Sequence, residues 1–462
     1  MEKGGDAVAC RSVTPDGGFR LRNPLEAAPP SSGVNGGSAV TSEESAVDSD
    51  ATAERLLSGY TGRMLLAVSL AWAVLQAGRF LLSPLLPAII ADLGITEATA
   101  GIVLALFQGV YAVTQYPSGE YSDRWSRATL IVPGLATLVV GFVLFGLAGG
   151  LAAFVLAAVV TGFGKALFAI PSRALLSDLF VERRGRALGI YAAGTDIGGL
   201  VAAGLGVLVL SGAVWTLPAL SVGGLTFPSV SAGFPSWHTP FLPVAVVLGG
   251  LLLLYAVWTR DDYVVGTWSL DAVGTVRRLV ATPRQRRTLL AFGLFYLMVG
   301  GFINFLPTYL AQAKGFSAAL ASGAFALVFV VGAVTKPVAG GLSDRFSRES
   351  IAVAGLLLAS AALAGLVVAD SRLVILGGIV AMAVGYKTEF PLADGVILDN
   401  APDGDLGADL GAARALFLVA NAIGPAYVGV VATYLNYTVA FGGLVGCLLL
   451  AAGLLAWDAT GR

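Results

Sequence analysis

Eight of the ionisable side chains within long apolar stretches of the sequence could bind a charged ligand. Five are basic and three are acidic: Arg79, Lys165, Arg173, Lys336 and Lys387, with Asp196, Glu389 and Asp394. A charge at the centre of a bilayer costs roughly 2.5–3.5 kcal/mol, so such residues usually pair with one another or face a water-filled cavity. The surplus of positive charge predicts a cavity that binds an anion.

Arg79 is the first candidate for an anion-binding residue, because a guanidinium can hold a carboxylate or a phosphate through two parallel hydrogen bonds. Lys165 and Lys387 can each add a second point charge. The alternative is that these lysines form structural salt bridges with Asp196 or Glu389. The two acids are also candidate proton carriers, since desolvation favours the neutral form of a carboxylate.

Neutral polar residues occur in the same layer and could orient a ligand by hydrogen bonding. They are Gln76, Gln108, Tyr111, Gln115, Asn304 and Asn421. A single amide in a membrane more often joins two helices than binds a ligand. We predict ligand contacts for Gln108, Gln115 and Asn304. The aromatic residues of the apolar stretches are expected to face packing or lipid; examples are Phe80, Phe107 and Phe305.

The composition places the chain in a membrane. Of its 462 residues, 56% are hydrophobic and 12% are charged, whereas a soluble domain carries about 25% charged residues. The net charge of −1 gives no electrostatic reason to bind nucleic acid. Two cysteines, Cys10 and Cys447, and one histidine, His238, cannot build a disulfide framework or a metal site. We therefore expect no cofactor, no metal and no enzymatic activity.

Twelve apolar segments are long enough to cross the hydrocarbon core as helices, which takes about 20 residues each. They are residues 62–91, 97–119, 128–148, 151–176, 186–211, 239–259, 287–313, 317–341, 349–369, 372–398, 408–433 and 436–457. The prediction is an all-α membrane protein. Its expected parts are a disordered cytoplasmic tail (1–58), a six-helix bundle (59–259), a cytoplasmic central loop (260–286) and a second six-helix bundle (287–462).

Basic residues are concentrated in alternate loops, which predicts the orientation of the chain in the cell membrane. The loops on the side of the termini carry Arg124, Arg127, Arg183, Arg184, Arg186, Arg260, Arg277, Arg278, Arg284, Arg286, Arg287, Arg345 and Arg348. The opposite loops carry only Lys314 and Arg372. Both termini are therefore predicted to be cytoplasmic. The loop of residues 212–238 falls on the outer side, and the sequence gives it no function.

A set of residues after the second segment recurs after the eighth. Gly119, Asp123, Arg124 and Arg127 return 221 positions later as Gly340, Asp344, Arg345 and Arg348. The same offset relates Val113-Thr114 to Val334-Thr335 and Asp178 to Asp399, and an offset of 222 relates Lys165 to Lys387. This pattern indicates a duplication. Because six segments separate the copies, both halves cross the membrane in the same direction, as parallel repeats do.

The repeated pattern G-x-x-x-D-R-x-x-R resembles the signature of the major facilitator superfamily, and the resemblance covers about residues 62–457. It implies two pseudo-symmetric six-helix bundles that expose a central site alternately to each side. Gly119 and Gly340 would let a neighbouring helix approach closely. Asp123 and Asp344 could accept hydrogen bonds from the following arginines and hold a cytoplasmic gate closed. The plainer alternative is a positive-inside loop with a helix-ending glycine.

Other stretches resemble the anion:cation symporter branch of this superfamily and its organophosphate antiporter relatives. They are Arg79-Phe80 through Pro87, Asp92 through Ile95, Gln115 through Gly119, and Glu182 through Ala187. The resemblance implies that Arg79 binds a carboxylate, sugar acid or phosphate ester. Where those symporters carry Gly-Glu-Ala in the fourth helix, this chain has Gly164-Lys165-Ala166. That departure weakens inherited proton coupling and favours the binding of negative charge.

Two other functions are weighed against anion transport. The first is a proton-coupled exporter of drugs or hydrophobic compounds. Such exporters typically carry Gly-x-x-x-Gly-Pro-x-x-Gly-Gly in the fifth helix, and the segment from Gly194 to Gly199 lacks the proline. The second is a non-transporting sensor, which would need a folded signalling domain. The expected partners are an anionic small molecule, the lipid bilayer and a coupling proton, and the chain is expected to be a monomer.

Overall fold

The computed structural model describes residues 56–212, 236–261 and 282–459 apart from Asp344 and residues 401–405, together with short strands between 214 and 233 and residues 263, 264 and 280. Most of the predicted tail (1–58) and of the predicted central loop (260–286) lies outside these residues. So do the side chains of Asp123, Arg124 and Asp394. Residues 54–462 belong to one compact unit.

Twelve helices occupy the twelve apolar segments within the described part of the chain, and all twelve are long and apolar enough to cross a membrane. They are α1 (Gly59–Leu93), α2 (Glu97–Arg124), α3 (Arg127–Gly146), α4 (Leu151–Leu179), α5 (Arg184–Leu210), α6 (Phe241–Trp258), α7 (Pro283–Gln312), α8 (Ala318–Ser343), α9 (Arg348–Val368), α10 (Arg372–Asn400), α11 (Leu406–Tyr434) and α12 (Tyr437–Ala459). The predicted helical membrane fold is confirmed.

Helix ends follow local sequence signals, and some of these recur with the duplication. Ser126 begins α3 by accepting a hydrogen bond from the backbone N–H of Thr129. Ser347, 221 positions later, accepts in the same way from Ser350 at the start of α9. A serine here satisfies one of the N–H groups that a helix start leaves without a partner. The repeat therefore includes the local capping chemistry.

The seventh helix begins earlier than the hydropathy pattern predicts. It starts at Pro283 instead of residue 287, because Thr282 accepts a hydrogen bond from the backbone N–H of Gln285. Proline suits the first helical position, where its missing N–H has no partner to lose. The first turns of α7 thus fall in the segment expected to be a loop.

Glycines fix the closest helix contacts inside each half. In the first half, a Cβ on Gly164 would lie 2.9 Å from the backbone nitrogen of Leu138 in α3. In the second half, a Cβ on Gly385 would lie 2.6 Å from the backbone nitrogen of Ala359 in α9. Both pairs are related by an offset of 221. In this packing register Lys165 corresponds to Tyr386, so the offset of 222 that pairs Lys165 with Lys387 is wrong for α4 and α10.

The two halves meet through crossing helices near the face where α1, α5 and α11 end, which we call the distal face (Leu93, Leu210 and Tyr434). The backbone N–H of Ala98 donates to the Thr433 hydroxyl over 2.9 Å, joining α2 to α11. The Ser322 hydroxyl donates to the carbonyl of Ala203 over 2.9 Å, joining α8 to α5. Ser83 of α1 donates to the carbonyl of Ile303 of α7. These contacts hold the halves together at the distal face.

A short β-hairpin lies between α5 and α6. Strand β1 (Val214–Leu217) pairs antiparallel with β4 (Val230–Gly233), and β2 (Leu220–Val222) pairs with β3 (Leu225–Phe227). Both pairings follow one register, with Val214 opposite Gly233 and Leu220 opposite Phe227. No strand was predicted in this loop. After the hairpin, the Trp237 indole donates to the Asp92 carboxylate over 2.9 Å, which ties this region to the end of α1.

Candidate functional site

A cavity of about 530 Å³ lies between the two halves. Helices α1, α2, α4 and α5 of the first half and α7, α8, α10 and α11 of the second contribute to its wall. Its volume lies in the range of about 300–1,000 Å³ that small-molecule sites occupy. Six basic side chains line it: Arg79, Lys165, Arg173, Lys336, Lys387 and Arg414. Arg414 lies within the eleventh predicted segment (408–433) and was not among the predicted cavity residues.

The basic residues of the first half face the cavity without a carboxylate. Arg79 has no ion-pair partner among the described residues, and its buried Nε atom makes no hydrogen bond there. Lys165 is 4% exposed, and its Nζ atom lies 4.0 Å from the centroid of the Tyr111 ring. Arg173 lies over the rings of Trp72 and Tyr191. The structure thus brings Arg79 and Lys165, both predicted ligands, into one wall.

Two basic residues of the second half, Lys336 and Lys387, share one carboxylate partner. The Lys387 ammonium lies 2.9 Å from one carboxylate oxygen of Asp196, and the Lys336 ammonium lies 2.5 Å from the other. Asp196 belongs to α5 of the first half, so this triad joins the two halves beside the cavity. Lys336 and Lys387 both lie in the cavity wall. For Lys387, the alternative of a salt bridge with Asp196 is observed.

The predicted amide ligands separate into two groups. Gln108 and Gln115 line the cavity. The Gln108 side chain donates to the Asn421 amide oxygen over 2.7 Å, and Asn421 donates to the carbonyl of Tyr296 over 3.0 Å. Asn304 does not line the cavity: it is 6% exposed and donates to the carbonyl of Gly300 within its own helix. The predicted ligand contact of Asn304 rested on its depth in the membrane, and Asn304 lies on a packed face of α7 instead.

Glu389 also lies away from the cavity. Its side chain is 0% exposed, and both carboxyl oxygens are without a hydrogen-bond partner among the described residues. One of these oxygens lies so close to Gly355 of α9 that a Cβ there would collide with it. Lys387, two positions earlier on α10, lines the cavity. Two positions turn a helix by about 200°, which directs Glu389 to the opposite face.

Aromatic side chains form much of the cavity wall, which was not predicted from the sequence. Phe80 was expected to face packing or lipid and instead lines the cavity. Phe107 and Phe305 are buried, as expected for packing. The other aromatic lining residues are Trp72, Tyr111, Tyr191, Tyr296, Phe329, Tyr386 and Phe390. The missed signal was proximity in sequence, since Phe80, Tyr386 and Phe390 flank the basic residues of α1 and α10.

The repeated loop motif makes contacts within each half. Arg127 donates from Nε to the Asp178 carboxylate over 3.0 Å, which ties the start of α3 to the end of α4. Arg348 lies against Gly395 of α10 in the matching place. The close helix approach expected at Gly119 and Gly340 is not observed. A Cβ on Gly119 would lie 3.7 Å from Ile170, and one on Gly340 would meet no described atom within 4 Å.

Comparison with known proteins identifies the family. The Major Facilitator Superfamily profile matches residues 68–334 and 288–460. The chain is 24% identical to the multidrug efflux pump LfrA of Mycolicibacterium smegmatis, over 75% of this chain and 76% of that protein. It is 25% identical to the probable sulfoacetate transporter SauU of Cupriavidus necator, over 63% of this chain and 66% of that protein.

A solved structure has the same fold. It is a bacterial homologue of the human lysosomal transporter Spinster in an inward-facing, unoccupied conformation, with a TM-score of 0.71 and 18% identity. The match covers 86% of this chain and 96% of that one. Together with the twelve membrane helices and the cavity between the halves, these matches show that the chain is a multi-pass membrane transporter that belongs to the Major Facilitator Superfamily.

Proposed function

We propose that the chain is a secondary transporter that carries a small organic anion through the central cavity by alternating access. The observation that supports this most directly is the pair Arg79 and Lys165, which face the cavity with no carboxylate partner among the described residues. Charges held in a membrane without a partner are costly. An anion that enters the cavity supplies the missing partner, and Arg79 can bind it through two hydrogen bonds.

The proposed orientation puts both termini and the arginine-rich loops in the cytoplasm, following the positive-inside rule. The distal face, where hydrogen bonds join the two halves, is then the outer face. The cavity therefore opens toward the cytoplasm in this conformation. Transport requires the distal contacts between α2 and α11 and between α5 and α8 to separate while the opposite ends approach.

A proton is the proposed coupling ion, and Asp196 is its proposed carrier. Asp196 contacts both Lys336 and Lys387 across the boundary between the halves. A proton on this carboxylate removes the charge that holds the two lysines, so protonation and movement of the halves become linked. Glu389 lies outside the cavity and is no longer favoured. Substrate-driven acidification of proteoliposomes that is unchanged in Asp196→Asn would rule out this assignment.

Export of hydrophobic or cationic compounds is the second candidate. The aromatic wall, with Trp72, Tyr296 and Phe329, favours it because such surfaces bind apolar and cationic ligands. The similarity to the efflux pump LfrA favours it as well. The basic side chains argue against a cation, since like charges repel within a medium of low dielectric constant.

The test is uptake of radiolabelled organic acids into proteoliposomes that contain wild-type protein or Arg79→Gln. Uptake should fall at least about a hundredfold, because the variant loses both a charge and a paired hydrogen bond. Arg79→Lys should retain part of the activity. Arg372→Gln is the matched control, since Arg372 lies against Phe316 at the start of α10, away from the cavity. Full uptake by Arg79→Gln would exclude the proposed role.

Ligand class is tested separately by thermal unfolding of the purified protein with organic acids and with cationic drugs. A compound that binds only the folded state raises the melting temperature. Stabilisation by acids that disappears in Arg79→Gln supports anion transport. Stabilisation by cationic drugs that persists in Arg79→Gln supports export instead.

A further inference from the structure

Each of five basic side chains in the cavity lies against an aromatic ring. The distances from the charged group to the ring centroid are 4.6 Å for Arg79 and Phe80, 4.0 Å for Lys165 and Tyr111, 5.4 Å for Arg173 and Trp72, 5.9 Å for Lys336 and Phe390, and 5.0 Å for Lys387 and Phe329. These are within the separation of about 6 Å at which a cation is attracted to a ring face. Any group bound to these cations is therefore surrounded by aromatic rings.

The aromatic lining of the cavity continues from one half to the other. Phe80 of α1 lies 4.8 Å, centroid to centroid, from Phe329 of α8, with the rings tilted by 58°. Phe329 in turn carries Lys387 over its face. Arg79 and Lys165 line the same cavity, so one ligand can contact both. A ligand whose acidic group binds there has Phe80 beside Arg79 and Tyr111 beside Lys165.

Four amide side chains line the cavity, compared with eight aromatic side chains. The Gln108 amide donates to the Asn421 amide oxygen. Gln76, Gln108 and Gln115 each present one buried amide oxygen that has no partner among the described residues. A body with many hydroxyl groups would leave most of them without partners, and a buried polar group without a partner is costly. An apolar body fits this wall better than a sugar.

The contact of Lys336 and Lys387 with Asp196 favours a ligand with one acidic group. Asp196 contacts both lysines, so a second acidic group on the ligand would share them with a carboxylate that belongs to the protein. One acidic group at Arg79 and Lys165 leaves that triad intact.

We infer that the substrate is an aromatic monocarboxylate, whose single carboxylate binds Arg79 and Lys165 and whose ring packs among Phe80, Tyr111 and Phe329. This inference rests on the proposed transport of an organic anion and narrows it. Aromatic rings favour tilted or edge-to-face contacts with other rings. The tilted pair of Phe80 and Phe329 offers such a contact to a planar ligand and a weaker one to a saturated ring.

The experiment compares the affinities of purified full-length protein for four probes by thermal shift and by quenching of the cavity residue Trp72. The probes are benzoate, cyclohexanecarboxylate, benzamide and terephthalate. Benzoate should bind about three- to tenfold more tightly than cyclohexanecarboxylate, which has the same charge and similar size. Benzamide, which has the ring and no charge, should not bind. Terephthalate, which carries two carboxylates, should bind more weakly than benzoate.

Substitutions in the cavity test which residues cause the preference for benzoate over cyclohexanecarboxylate. Phe80→Leu should reduce the ratio of the two monocarboxylate affinities to about one. Phe305→Leu is the matched control, because Phe305 is fully buried outside the cavity, and it should keep the wild-type ratio. Phe329→Leu provides a second cavity variant if Phe80→Leu does not fold. The wild-type comparison of the two acids needs no variant.

The outcomes separate this inference from the proposed function. Equal affinity for benzoate and cyclohexanecarboxylate, with no binding of benzamide, overturns the aromatic specificity and leaves anion transport standing. Tighter binding of terephthalate overturns the single acidic group. Binding of benzamide as tight as that of benzoate, or no binding of any carboxylate, overturns the proposed anion transport and with it this inference.

Discussion

The two halves share their helix packing and differ in how they compensate basic side chains in the cavity. Arg79 and Lys165 of the first half lie against the rings of Phe80 and Tyr111. Lys336 and Lys387 of the second half are held by Asp196. The duplication thus preserved the scaffold while the charge of the site diverged. A symmetric fold thus holds an asymmetric cavity, in which Arg79 and Lys165 of the first half lack a carboxylate partner among the described residues and Lys336 and Lys387 of the second half share one.

One position along a helix explains part of this divergence. The glycine contacts align Lys165 with Tyr386, so Lys387 lies one residue further along α10 than the counterpart of Lys165. That residue turns the side chain by about 100° around the helix axis. Lys165 accordingly reaches the rings of α2, whereas the stem of Lys387 lies along Gly332 of α8 and its ammonium reaches Asp196. Lys165 and Lys387 are the same residue type and make different contacts.

The largest expected effect comes from removing the compensation in the second half. Asp196→Asn leaves Lys336 and Lys387 near one another without their shared carboxylate. Breaking a buried ion pair on one side costs about 3–5 kcal/mol. Thermal unfolding in detergent should therefore show a strongly lowered melting temperature. The triple variant with Lys336→Met and Lys387→Met should recover most of it, and an unchanged Asp196→Asn would show that the triad contributes nothing to stability.

The second prediction tests which half holds the anion. Lys165→Met should weaken binding of an organic acid about tenfold or more, since a hydrogen bond to a charged group contributes roughly 1.5–3 kcal/mol. Lys387→Met should change the affinity less than about threefold, because Asp196 keeps the Lys336 partner. Titrations of both purified variants with one acid give the comparison. A larger loss in Lys387→Met would place the anion on the wall of the second half.

The third prediction concerns the bond that links the halves within the cavity. Gln108→Leu removes the donor to Asn421 and should weaken the closure of the distal face by about 1 kcal/mol, the net worth of a typical hydrogen bond. In an Ala98→Cys background, which puts a thiol beside Thr433, a thiol reagent should label the Gln108→Leu variant about fivefold faster than the protein with Gln108. Gln76→Leu is the matched control, since Gln76 lines the same cavity and its buried amide oxygen has no hydrogen-bond partner among the described residues. Equal labelling rates in both variants would contradict this assignment.

The sequence was sufficient for the scaffold because hydropathy, loop charge and the repeat are properties of the chain itself. The twelve helices occupy their predicted segments, with the early start of α7 set by Thr282 and Pro283. Which residues line the cavity depends on the rotation of each helix about its axis. The position of an apolar segment in the sequence does not give that rotation. Asn304 and Glu389 were chosen by depth in the membrane, and both lie on packed faces.

The aromatic residues that line the cavity were missed for the same reason, because the rotation of their helices was unknown. Phe80 follows Arg79 directly, and in a helix so uniformly apolar only the few polar residues, such as Arg79, distinguish a cavity face from a lipid face. The ion triad was also only partly accessible, since Asp196 and Lys336 belong to different halves and lie 140 positions apart. Contacts across the duplication depend on the conformation of the transporter as well as on its sequence.

The smallest effect is expected at Glu389, which marks how far the divergence of the halves extends beyond the cavity. Its position corresponds to Phe168 of the first half, and both residues lie at the helix contact formed by the paired glycines Gly134 and Gly355. A carboxyl group has replaced an apolar ring there without gaining a hydrogen bond among the described residues. Glu389→Gln should therefore transport at the wild-type rate with the same dependence on pH, whereas Asp196→Asn should alter both. Uptake measured across a pH series in proteoliposomes distinguishes the two acids, and a lost pH response in Glu389→Gln would return the proton site to the packed face of α10.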